Sequence, residues 1–153
     1  MVIGTTHLEI TATVPGPAAA VRDWFCDITN LTHVHPLVVG VRRQRQTVES
    51  GTTVTDYLVT DRMAVAGRRV RFTYRVRVSA PAQGPVRMLA RQFPMIRLDN
   101  ELSFTPADGG TLIRERLTVH APRPLLRFVA AEAERAHRRM YTAMGGLFGS
   151  DPA

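Results

Sequence analysis

The chain contains no lysine. All 20 of its basic residues are arginine, against 13 acidic ones, and the net charge is +7. Arginine without lysine reads as compositional bias, and the positive surplus favours acidic partners, anionic surfaces or anionic ligands only in a general way. One cysteine, Cys26, excludes an internal disulfide framework and suits a reducing compartment. Residues 1–9 have neither a basic nor an apolar leader segment, so no secretory signal is expected. No run approaches the roughly 18 apolar residues of a membrane span, so stable membrane insertion is not expected and a cytoplasmic location is the default. No phosphate-cradling glycine loop, zinc-ligand spacing or G-x-S-x-G elbow occurs, and neither a metal nor a cofactor is expected. Aromatic residues make up only 7% of the chain, which limits how fully a broad sheet can be covered by large side chains.

What is present is strand alternation followed by one long helix. With 153 residues and 44% hydrophobic content, a single domain over 1–153 is expected. His7–Val14 alternates, with Leu8, Ile10, Ala12 and Val14 on one side. Pro15-Gly16-Pro17 stops it, and Ala18–Cys26 has helical apolar spacing. Residues 27–36 form a second short helix or turn closed by Pro36. Strands are then predicted over 37–48, 52–66, 68–79, 86–93, 97–105 and 111–120. The clearest is 68–79, where Val70, Phe72, Tyr74, Val76 and Val78 face one way and Arg69, Arg71, Thr73, Arg75 and Arg77 the other. In the last, Glu115 shares a face with Ile113, Leu117 and Val119.

Residues 123–148 read as the only long helix. At about 100° per residue, Leu125, Val129, Ala133, Ala136, Met140 and Met144 belong to one wide apolar arc. Arg127, Glu134, Arg135, Arg138 and Arg139 lie opposite, with Glu134 one turn before Arg138 as an exposed ion pair. His137 falls within the apolar arc. Strands segregated from helices argue α+β with an antiparallel sheet, and the helix would fill the concavity of that sheet. Alanines on its inner face leave room for an internal cavity.

With these elements the sequence resembles the START-like (SRPBCC) superfamily, the helix-grip proteins that include polyketide cyclases and aromatases and lipid-transfer proteins. The matching marks are Val14-Pro15 and Val21 at the opening strand and first helix, and Asp27, Asn30 and Pro36, followed by Val38 and Val41, at the second. Gly109-Gly110-Thr111 before the final strand and the terminal helix complete them. The aromatic residue common near the exit proline is absent, with His33, Val34 and His35 in its place. The resemblance implies a curved antiparallel sheet of about seven strands wrapped around the C-terminal helix, with two short helices between strands 1 and 2. It also implies a pocket for a hydrophobic or aromatic small molecule.

The candidate pocket residues are Phe72, Tyr74, Val76, Asn100, Leu102 and Glu115 from the strands, and Val129, Ala133, Ala136, His137 and Met140 from the helix. Tyr57 joins them in one of the two registers its strand allows. Entry is expected near the second short helix and the segment 92–97. His137 could bond a ligand hydroxyl or act as a base, or simply bond the sheet or Glu115. Glu115 in a cavity would have its ionised form disfavoured and could serve as an acid, or could pair with an arginine. His33 and His35 are two apart but sit in a turn without further ligands, so a solvated turn is expected there. Cys26 reads as small-hydrophobe packing.

Three functions follow. The first is a binder of a polyketide- or lipid-like molecule. The second is a cyclase or aromatase using the same cavity for aldol closure and dehydration, where positioning could supply much of the acceleration. The third is a surface binder using the arginine row. Nucleic acid is not expected, because Phe72 and Tyr74 face away from those arginines and cannot stack bases beside them. Either a monomer or a homodimer is compatible with the sequence.

Overall fold

Alternation of apolar and polar residues builds seven strands, and the breakers between them set the turns. In the computed structural model, which describes residues 2–149, these are β1 (Ile3–Val14), β2 (Val38–Glu49), β3 (Thr52–Val65), β4 (Arg68–Pro81), β5 (Val86–Gln92), β6 (Ile96–Ala107) and β7 (Gly110–Pro122). They form one antiparallel sheet in the order β1-β7-β6-β5-β4-β3-β2. β1 begins at Ile3, earlier than its alternation predicts, because Ile3–Thr6 pairs with Val119–Pro122. Between β1 and β2 lie α1 (Ala18–Cys26) and a 3-10 turn (Ile28–His33). The turn is started by Asp27, whose carboxylate accepts from the Thr29 N–H, and is tied back by the Asn30 side chain donating to the Trp24 carbonyl at 2.9 Å. Irregular pairing at Val38/Gly40 and Arg43/Arg45 bends β2, as extra residues in a ladder do.

Pairing transmits one strand's clear alternation to its neighbours. Directly opposed residues share a face, so inward Phe72, Tyr74 and Val76 place Asp61, Val59 and Tyr57 inward on β3. The same row continues through Ala90, Leu98 and Val119. The two readings of β3 are thereby reduced to one.

The long helix α2 (Arg123–Gly149) lies against β1 and β7. Its two halves differ. Ala136, Met140, Tyr141 and Met144 are buried, whereas Leu125 and Phe128 in the first half are exposed. The buried half joins Ile10, Val14, Val21, Phe25 and Ile113 in the main core, where each large apolar side chain contributes about 1.5–3 kcal/mol. Phe25 stacks on Tyr141 with ring centroids 6.2 Å apart. Two glycines permit close approaches. A Cβ at Gly4 would meet Leu126 at 2.8 Å, and one at Gly110 would meet the Val14 carbonyl oxygen at 2.1 Å. Gly110 also has φ +149°, and the adjacent buried Thr111 hydroxyl donates to the Gly16 carbonyl at 2.8 Å.

At the other end the sheet opens. β5 pairs with β4 only over Arg75–Ser79, so residues 68–74 of β4 have no β5 partner. The first half of α2 spans this gap instead of filling it.

Candidate functional site

Glu115 is completely buried on β7, and three side chains donate to it. Asn100 Nδ2 on β6 and His137 Nδ1 on α2 each reach Oε2 at 2.6 Å, and the Tyr141 hydroxyl reaches Oε1 at 2.5 Å. Burial alone would raise the Glu115 pKa. The His137 charge and the hydrogen bonds from His137 and Tyr141 outweigh it and hold the carboxyl below its usual range. Of the readings weighed for Glu115, the geometry matches the buried ion pair, with His137 in place of an arginine, which is also the His137–Glu115 bond considered from the helix. For His137, burial pulls downward, but the attraction and hydrogen bond of Glu115, with a smaller contribution from Asp61, raise it above 6.5.

An ionised carboxylate only accepts, so Nδ1 of His137 carries its proton whether the ring is neutral or charged. Nε2 has no hydrogen-bond partner among the described residues and is not sealed from solvent. The His137 ring borders two adjoining cavities. The larger, about 240 Å³, runs beneath the first half of α2, between Val129, Ala133 and Ala136 on one side and Met63, Phe72 and Tyr74 on the other. The smaller, about 70 Å³, continues inward among Val76, Met88, Asn100 and Met140. His35, Tyr74, Ala90, Leu98 and His137 border both.

Asp61, Tyr74 and His35 also border this space. Asp61 accepts from the Tyr74 hydroxyl at 3.0 Å. Burial raises its pKa to about 6, against the opposing effects of Tyr74 and His137. Burial also raises Tyr74 well above its ordinary value, and Asp61 adds to the shift. The His35 ring stands edge-on to His137 with centroids 5.7 Å apart, and its Nδ1 accepts from the Leu37 N–H at 3.2 Å. Burial, reinforced by His137, lowers His35 to about 3, so it is neutral.

Of the residues singled out from sequence, Phe72, Tyr74, Val129, Ala133, Ala136 and His137 line the large cavity, while Val76, Asn100 and Met140 line the small one. Glu115 stands behind His137 and borders neither. Leu102 and Tyr57 also lie outside the lining. Leu102 packs fully buried in the core, and the Tyr57 hydroxyl donates to the Cys26 carbonyl at 3.4 Å, toward the α1 end of its strand. Sequence reasoning missed Asp61, Tyr141 and His35 as members of this cluster. Tyr141 is one helical turn beyond His137, a spacing that signals the same side. Asp61 follows Tyr57 by four residues on the same strand face. His35 was expected in a solvated turn, yet it turns inward while His33 is exposed.

Beside the stretch of β4 unpaired with β5, the larger chamber is bordered by the segment joining β5 and β6. Gln92, Phe93, Pro94 and Ile96 border it, and Phe93 (87% exposed) and Phe128 (50%) leave apolar surface in solvent at its edge. The arginine row lies on the opposite face of β4, where Arg77 pairs with Asp56 at 2.8 Å. Among the described residues no helix is long and apolar enough to cross a membrane.

A curved seven-stranded antiparallel sheet closed over a long C-terminal helix, with short helices after the first strand, is the helix-grip architecture of the START-like superfamily. Three solved structures share it. The Zhui aromatase/cyclase from a Streptomyces species is 19% identical with a TM-score of 0.68, covering 95% of this chain and 94% of its own. Ara h 8.0201 is 18% identical with a TM-score of 0.71, covering 97% and 100%. A START superfamily protein from Mycobacterium smegmatis is 15% identical with a TM-score of 0.62, covering 95% and 98%. Residues 5–146 match the family described as polyketide cyclase / dehydrase and lipid transport, and the chain belongs to that family. No curated protein matches it.

Proposed function

We propose that residues 1–153 form one ligand-binding domain that holds a hydrophobic or aromatic small molecule, polyketide- or lipid-like, beneath α2. The observation that carries this reading is an apolar chamber of about 240 Å³ with the His137 imidazole at its inner end. Buried Glu115 fixes that ring from behind, so Nε2 is presented to whatever fills the chamber. Together the two chambers reach the lower edge of the roughly 300–1,000 Å³ usual for small-molecule sites, which suits a ligand of one or two rings or a medium-length chain. A longer ligand would project past Phe93 and Phe128.

Native mass spectrometry with aromatic polyketides, flavonoids, fatty acids and poly-β-ketone mimics tests this reading. One-to-one adducts of unchanged mass, weakened at least about tenfold by Ala133→Trp, are expected. If no adduct forms with any of them, the reading fails.

The carboxylate-backed histidine also supports a second reading, the cyclase or aromatase. Neutral Nε2 would take a proton from a carbon between two ketones, and the resulting enolate carbon would attack a carbonyl farther along the same chain. The imidazolium, stabilised by Glu115, would return the proton to the new alkoxide, and loss of water would follow. A product lighter by one or more waters, formed above the protein-free rate and lost in His137→Leu, favours this reading. Ligand retained unchanged, with a modest loss of affinity in that variant, favours simple binding.

A further inference from the structure

The charges around the cavity are unusual for so basic a chain. All 20 positive side chains are arginines, and among the described residues none lines either chamber. The ionisable groups that do line them are Asp61, Tyr74, His35, His137 and, in the larger chamber, Glu132. Among the described residues that line the chambers, His137 is the one held toward its charged form, and that charge is matched by Glu115 at 2.6 Å. His35 adds none, because its Nδ1 is occupied as an acceptor by the Leu37 N–H. Glu132 is paired on the helix surface with Arg135. What remains is one carboxylate, Asp61, facing the space with a single hydrogen bond from Tyr74. A carboxylate has room for more than one donor, so Asp61 still has accepting capacity.

We infer that this cavity selects ligands with a neutral, hydroxyl-bearing head and excludes those with a carboxylate head. The inference rests on the cavity being the ligand site. A ligand hydroxyl would donate to Asp61, and a ligand carbonyl could accept from Nε2 of protonated His137. A carboxylate would meet Asp61 with like charge in a poorly solvated space and would find no unmatched cation. The polarity of the whole surface thus points the wrong way: the chain is cationic outside and weakly acidic where the ligand sits.

The selection depends on pH, because Asp61 titrates near pH 6. It is faced by Tyr74 from β4, His137 from α2 and His35 from the segment before β2, with Glu132 farther out on α2. Below pH 6 Asp61 is neutral, and His137 is more fully charged.

The test uses two probes of one ring system, 2-naphthol and 2-naphthoate, titrated into the full chain by calorimetry at pH 7.5 and pH 5. At pH 7.5 naphthol should bind at least about tenfold more tightly, a difference of about 1.4 kcal/mol. At pH 5, where naphthoate is still ionised, the gap should shrink to about threefold or less. Asp61→Asn should produce the same shrinkage at pH 7.5, mainly by tightening naphthoate, since the amide keeps the shape and an acceptor. If the variant does not fold, the pH comparison on the wild-type chain decides alone. Equal or tighter binding of naphthoate at pH 7.5 overturns the selectivity while leaving the cavity as a ligand site. Binding of neither probe overturns both.

Discussion

Replacing Glu115 with Gln should destabilise the fold by about 3 kcal/mol at pH 6 and by about 1 kcal/mol at pH 9. The carboxylate is fully buried and accepts from Asn100, His137 and Tyr141. Gln preserves the shape. Its oxygen can still accept from Asn100 and His137, and its amide can donate to the Tyr141 hydroxyl. The loss is the charge opposite His137. Removing one member of a buried pair costs about 3–5 kcal/mol, and the retained hydrogen bonds place this case at the lower end.

The direction with pH follows from the two shifts. Glu115 lies below its unfolded value of 4.5, so its contribution is present above pH 4.5 and is lost as pH falls through the lower folded value. His137 lies above 6.5, so its contribution is complete below pH 6.5 and is lost as pH rises through the higher folded value. The pair therefore contributes most between pH 4.5 and 6.5. In Glu115→Gln burial dominates at His137, which stays neutral in the fold, and stability falls as pH drops through 6.5. His35 and Asp61 titrate in both proteins and largely cancel in the difference. Urea unfolding of both proteins from pH 4.5 to 9 measures the gap. It should be widest near pH 6 and narrow steadily toward pH 9. An equal gap at pH 6 and pH 9 refutes the pairing.

Tyr141→Phe removes one donor from the same carboxylate, so it should cost about 1–3 kcal/mol in urea unfolding. The acid limb of the stability profile should also move to higher pH, because Glu115 is then held less firmly in its charged form. Gly110→Ala places a Cβ where the Val14 carbonyl already sits and should lower stability by at least about 2 kcal/mol, read as a fall in Tm. Ala133→Trp fills open space beneath α2 without disturbing the packed half of the helix. It should leave stability within about 1 kcal/mol of wild type while weakening ligand binding at least tenfold in mass-spectrometric titration.

Much of the framework was legible because alternation and helical periodicity are backbone properties. The inward row of β4, the inward Glu115 on β7 and the apolar arc containing His137 could all be read from spacing. The chemistry was harder to read, because it depends on contacts far apart in the chain. Tyr57 and Asp61 share one strand face, yet only the pairing Asp61↔Phe72 places Asp61 toward the cavity while Tyr57 packs near Cys26. Whether Glu115 is charged could not follow from its own strand, since its three donors come from β6 and α2. His35 sits in a turn without periodicity. Its neutrality arises from burial and the neighbouring His137, both consequences of tertiary structure.

Methyl NMR during ligand titration tests the central claim most directly, because probes lie at each end of α2 and across the sheet. Met63 and Ala133 line the large chamber, whereas Met144 is buried in the packed core beyond it. Saturable shifts at the Met63 and Ala133 methyls, with Met144 nearly still, are the predicted result. Shifts confined to residues on the arginine face, with Met63 and Ala133 unmoved, would contradict binding beneath the helix.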